Sequence, residues 1–243
     1  MAVLALTCAI GAMLMVAERV WPGRGLPAAK GWYLRAVLLN VVQLGIVVLG
    51  GVTWSVWLRG PSLLHLDGGM AAPAQGFVCW FVGTFIFYWW HRARHEVPLL
   101  WRTLHQIHHS PARIEVLTSF YKHPLEISIN SVMSTAIVFP LMGSGIEAAP
   151  WYSFFAAFGE FFYHMNIRTP RWAGWFLQRP EQHSIHHQRG RHRGNYGDIT
   201  WWDRMFGTFQ EAEAFVPACG YARNREQRLA EMLVFQDVHR PGP

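Results

Sequence analysis

Residues 36–58 form a run of 23 positions without one charged side chain. At about 1.5 Å of rise per residue, a helix of that length crosses the hydrocarbon of a bilayer. In lipid every backbone N–H and C=O needs an internal partner, which restricts what such a run can become. Residues 1–17 are also uncharged, and a spanning helix is expected from Met1 to about Val20. A secretory signal would place basic residues ahead of its apolar core; none is present, so this start is read as an uncleaved span. Asp67-Gly68-Gly69 and Pro73 mark a loop, and a third run ends in "FIFYWW" at Trp90, where the aromatics suit an interfacial belt. A fourth run covers 127–146. A fifth, roughly 148–163, is interrupted by Glu160 and reads as a tilted span or half of a re-entrant hairpin. The chain is 51% hydrophobic and 15% charged, well under the roughly 25% charge of soluble domains.

Basic residues sort the connections. The first link carries Arg19, Arg24, Lys30 and Arg35, the segment 91–125 carries Arg92, Arg94, Arg102, Arg113 and Lys122, and most others follow residue 163. The other two loops contribute only Arg59. The positive-inside rule puts all three basic regions in the cytoplasm. The net charge of +6 is thereby explained by membrane orientation and anionic lipid, without nucleic acid. Cys8, Cys79 and Cys219 are far apart, imply no disulfide framework and offer no thiolate cluster. Segment 221–237 is expected to be a solvated amphipathic helix.

On that cytoplasmic side lie two copies of H-x-x-H-H, "LHQIHHS" at 104–110 and "QHSIHHQ" at 182–188. At this chain's histidine frequency, two chance copies are expected in roughly one chain per thousand of this length. His91 and His95 share a helix face at i, i+4. No helix breaker interrupts the first cluster before Pro111. Pro180 and Glu181 suit a helix start before the second, so each cluster is expected to aim three imidazoles at one point. Eight to ten imidazoles exceed the needs of one tetrahedral zinc and suit two metal ions, with redox-active iron and dioxygen as the matching chemistry. His164 lies four residues after Glu160, a candidate carboxylate for orienting it. His123 precedes Pro124 and fits a turn or a ligand equally; His192, in "RGRHRG", reads as part of a solvated basic loop. His95-Glu96 does not begin a zincin motif, because Leu99 fills the second ligand position. Neither a G-x-S-x-G elbow nor a P-loop is present.

With these residues in view, the chain resembles the fatty acid hydroxylase/sterol desaturase superfamily of integral membrane histidine-box oxygenases. The carriers are "YWWHRARHEVPLLWRTLHQIHHS", "YKHPLEI", "FYHMNIRTP", "HSIHH" and "NYGDITWWDRMFGTF", in order over roughly half of the chain. The resemblance implies an all-α membrane helical bundle of about four to five transmembrane or re-entrant helices under a cytoplasmic histidine-rich helical cap. It implies one domain over 1–243, with a catalytic core at about 75–210. The implied ligands of two iron ions, with zinc as the expected substitute in purified protein, are His91, His95, His105, His108, His109, His183, His186 and His187. His164 and His123 join them, with Glu160 and Asn166 as supporting residues. The implied activity is hydroxylation or desaturation of a lipid C–H bond with dioxygen. Electrons would come from an external ferredoxin or cytochrome b5-like donor, since no haem-binding domain is attached. The implied location is a bacterial inner membrane, with the C-terminus cytoplasmic. Trp89, Trp90, Phe161 and Phe162 are candidate channel walls or ordinary packing residues. The competing readings are a carotenoid hydroxylase, a zinc hydrolase, and a non-catalytic metal-binding or transport protein. Transport favours ligands at mid-span, whereas these lie at helix ends.

Overall fold

The computed structural model describes residues 1–239. Among these residues the chain is helical, with two isolated bridging pairs, Leu177–Ile199 and Gln188–Cys219, in place of strands. Three segments are long and apolar enough to cross a membrane: Ala2–Val20, Trp32–Trp57 and Pro124–Leu141. Their outward positions (Val16, Leu34, Val41, Val48 and Val52 among them) stay exposed, as a lipid-facing surface requires. The third segment finishes in a π-helical turn, Ile137–Leu141, where Pro140 cannot donate to the helix ladder.

Two further long helices complete the bundle and differ from the expected spans. Ala72–Glu96 continues beyond Trp90 and carries Arg92, Arg94, His91 and His95 in its last turns. Its stop follows from Pro98, which disfavours the α region at Val97. Ala148–His164 is 17 residues, only about 25 Å long at the helical rise. The two pack closely because Gly76 and Gly83 admit the partner: a Cβ at Gly76 would lie 2.5 Å from Trp151 Cβ, and one at Gly83 3.0 Å from the Tyr152 hydroxyl. Cys79, Trp80, Tyr152 and Ile199 fill the seam with Val138 and Phe139.

The three basic regions meet on one face. Arg19 pairs with Glu115, whose other oxygen accepts Trp32 Nε1–H at 2.6 Å; Glu18 accepts the Val116 and Asn166 backbone N–H groups. Arg24 donates to the Val216 carbonyl and Arg35 to Glu226. The segment expected as a solvated helix, 221–237, is instead two short turns, Arg225–Gln227 and Leu229–Leu233. Tyr221, Met232 and Val238 are buried in a core with Trp32, Ile107 and Tyr121. Their apolar side chains reward packing in the fold more than a straight helix on the surface would.

Candidate metal centre

The first histidine cluster lies on a π-helical turn, Trp101–His105, running into a short α-turn, Gln106–His109. The second lies on Pro180–His186, with Pro180 at its first position and His187 capping its end. His91 and His95 come from the end of Ala72–Glu96, and His164 is the last residue of Ala148–His164. All nine converge, in two groups whose ligand-capable atoms lie within 4.8 Å of one another. One group is His91, His95, His105, His109 and His186; the other is His108, His164, His183 and His187.

Neither H-x-x-H-H cluster serves a single point, contrary to the expectation from spacing. At about 100° per residue, i+4 lies roughly 40° from i while i+3 falls roughly 60° to the other side. His105 and His109 therefore face one group and His108 the other, and His183 and His187 face one group while His186 crosses to its neighbour. The two groups abut: the His109 and His187 rings stack with centroids 4.2 Å apart.

Most outer ring edges are hydrogen-bonded, whereas His108 Nδ1 and His187 Nδ1 are buried without a partner among the described residues. His91 Nδ1 donates to the Tyr196 carbonyl at 2.8 Å, His95 Nδ1 to that of His192 at 2.7 Å, and His186 Nδ1 to that of Gly194 at 2.8 Å. His164 Nδ1 donates to the Glu160 carbonyl at 2.8 Å, and His183 Nδ1 to Gln178 Oε1. His105 Nδ1 lies 3.2 Å from both oxygens of Glu126, a fully buried carboxylate that also pairs with buried Arg94. A proton fixed on Nδ1 leaves the Nε2 lone pair facing inward, the arrangement metal-bound histidine uses. The inward atoms sit close: His91–His105 3.0 Å, His105–His109 3.2 Å, His164–His183 3.1 Å, His183–His187 3.0 Å and His108–His164 3.3 Å, all between Nε2 atoms. Two nitrogens each about 2.1 Å from one ion, at angles near 90–110°, are separated by about 3.0–3.4 Å. His95 Nε2 and His186 Nε2 are buried without any hydrogen-bond partner. The donor set thus fits two imidazole-held cations, one per group.

Burial holds the His105, His108, His109, His183 and His187 imidazoles well below their ordinary value, and His186 is brought down to about 3 by the same cause. All six are neutral near pH 7, the form that ligates metals. A cavity of about 60 Å3 opens onto both groups, reaching His91 and His105 on one side and His108 and His183 on the other. Its far wall includes Phe87, Tyr163 and Asp198. Burial pushes the Asp198 carboxyl up to about 7.

Several sequence expectations are corrected. His123 is outside both groups: its Nδ1 accepts the Leu125 N–H as a helix N-cap, and its Nε2 bonds the Leu233 carbonyl. Glu160 supports His164 through its backbone carbonyl; its carboxylate pairs with Lys122 and also lies 3.6 Å from His164 Nδ1, as the sequence led one to expect. Among the described residues Asn166 hydrogen-bonds no histidine; its side chain donates to the Arg24 carbonyl, joining two loops. His192 belongs to the site's rim rather than to a free loop, with Nδ1 3.3 Å from His109 Nδ1. Of Trp89, Trp90, Phe161 and Phe162, none lines the cavity; Trp89 packs on Phe206, and Phe161 on Phe120. Sequence reasoning missed Glu126, Arg94 and Gln178. Glu126 had a signal, a lone carboxylate in the first turn of an apolar helix; Gln178 had none.

A profile of the fatty acid hydroxylase family matches residues 76–208. The chain is 33% identical over 141 residues to "Fatty acid hydroxylase vlmA" of Lecanicillium sp, covering 51% of this chain and 38% of that protein. It is 30% identical over 128 residues to the alkylglycerol monooxygenase of Xenopus tropicalis, covering 51% and 28%. It is 27% identical over 125 residues to a very-long-chain aldehyde decarbonylase of Oryza sativa subsp. indica, covering 50% and 48%. The chain thus spans less than half the length of each of these relatives. No solved structure matches it.

Proposed function

Because the chain belongs to the fatty acid hydroxylase family, we propose that it is an integral membrane lipid monooxygenase that holds two iron ions in its paired histidine groups. The observation that carries this reading is the set of nine buried or half-buried histidines split five and four, with inward nitrogens 3.0–3.3 Å apart. Bound there, a pair of irons would supply dioxygen activation, which imidazole ligands at two open sites permit.

The chain's own residues supply the rest. Neutral imidazoles offer lone pairs without having to lose protons, because burial has already lowered their affinity for protons. Glu126 orients His105, and Arg94 balances the carboxylate's charge in a buried pair. The cavity beside both groups is where a lipid carbon would meet the metals, with Phe87 giving an apolar wall. Lys122, buried and paired with Glu160, closes the same space.

The substrate is a membrane lipid carrying an unactivated C–H bond, and the product is its hydroxylated or desaturated form. The names of the relatives, hydroxylase, monooxygenase and decarbonylase, support oxidation of lipids as the class. The histidine cap and the C-terminus face the cytoplasm, in agreement with the basic regions that gather beside the cap. An inner bacterial membrane is the proposed location and an external one-electron donor the proposed partner. Untargeted lipid mass spectrometry of expressing and deleted cells tests the reading. A lipid heavier by one oxygen, or lighter by two hydrogens, is expected only in expressing cells; identical lipid profiles would overturn it.

A further inference from the structure

An oxygenase of this kind draws electrons from outside the chain, and one surface is arranged to receive their carrier. The loop 188–194, "QRGRHRG", carries three arginines and no acidic residue. It is pinned to the first histidine group at three points: the His192 carbonyl on His95 Nδ1, the Gly194 carbonyl on His186 Nδ1, and the His192 ring on His109. Arg189, Arg191 and Arg193 are exposed. Half-buried His192 reaches from among them to His109, and half-buried Trp101 packs on His95, His109 and His192 with centroids 5.1, 5.2 and 5.7 Å away. Arg191 and Arg193 bond no side chain among the described residues, so their charge is not spent within the fold. The loop sits at the His95 end of Ala72–Glu96, and that helix's apolar stretch runs the opposite way.

Positive charge held this close to the ligands marks a short path, and electron transfer falls off steeply with distance. Weak redox encounters use small, charge-complementary contacts. We propose that loop 188–194 is the docking surface for an acidic one-electron carrier protein, with His192 and Trp101 lying between that carrier and the histidine-held metals. The proposal rests on the oxygenase reading. With iron held by these histidines, each encounter would pass one electron from the carrier to a ferric ion, oxidising the carrier and transferring no atom.

The test uses the full chain in zwitterionic nanodiscs, loaded with zinc so that only binding is read, and an acidic iron–sulfur ferredoxin as the probe. Binding that weakens with salt is expected, and the R191E/R193E variant should bind at least ~tenfold more weakly while keeping its zinc. Equal affinity for parent and variant, salt-independent binding, or no binding by the parent overturns the proposal. Protection of these two arginines from phenylglyoxal by anionic lipid, in nanodiscs without ferredoxin, assigns the loop to headgroups and also overturns it. A separate arm supplies dithionite to the iron-loaded parent. Failure to oxidise any lipid there counts against the oxygenase reading and leaves the binding result intact.

Discussion

Glu126 and His123 stand three residues apart and have opposite relations to the metal centre. Glu126 sits behind His105 and is the buried partner of Arg94. Glu126→Gln removes a charge from an enclosed pair and strands the guanidinium, so a loss of about 3–5 kcal/mol is expected in a denaturation assay. It should also weaken metal retention by the group containing His105. His123→Ala removes only an N-cap bond, with an expected cost of about 1 kcal/mol and no change in bound metal by elemental analysis. Loss of metal in that variant would contradict the arrangement. Both residues lie in "HPLE", so their neighbourhood was legible in the sequence. Which of the two faces the centre depends on how the following helix is docked.

At the scale of elements, the informative fact is that each H-x-x-H-H turn is shared between two sites. His105 and His109 point one way, and His108 the other; His186 and the pair His183 and His187 repeat this from the opposite side. His108→Ala and His186→Ala are each expected to drop the metal content to about one ion per chain, from different groups, because each group keeps its other ligands. Retention of both ions by either variant would reject its membership. The helices that carry His91, His95 and His164 are held by a seam that tolerates no side chain at Gly76. Gly76→Ala sets a Cβ 2.5 Å from Trp151 Cβ and 2.8 Å from the Tyr152 nitrogen. Forced separation of Ala72–Glu96 from Ala148–His164 should cost about 1–3 kcal/mol, read as a lower midpoint in thermal unfolding.

For the whole molecule, the histidine core sets the response to acid. His186 titrates at about 3 in the fold, against 6.5 when unperturbed, and its buried neighbours are likewise lowered. A depressed folded value means that the unfolded chain takes up protons first. The stabilising contribution of a neutral buried ring is full above pH 6.5 and is lost as pH falls from there toward the folded value. Metal-stripped protein should therefore lose about 1.4 kcal/mol per pH unit for each such histidine as pH falls below about 6.5. Denaturant titrations at descending pH check this; a flat profile would show that the rings are solvated.

The amino-acid sequence by itself determined the helical membrane class, through charge-free runs that only an internally hydrogen-bonded backbone can carry across lipid. It also determined that the histidines act together, because two rare clusters share one face with His91 and His95. The family was legible for the same reason, in blocks whose order and spacing survive in the linear chain. Only the tertiary structure decided the partition of nine rings into five and four. Helical periodicity gives the directions of side chains around one axis and says nothing about where a second axis lies. Gln178, Glu126 and His192 were likewise assigned by packing, since each reaches its histidine across 5 to 83 residues of chain. The anchoring of segment 221–237 was decided the same way: Tyr221 and Met232 leave the surface because Trp32, Ile107 and Tyr121 provide a core for them.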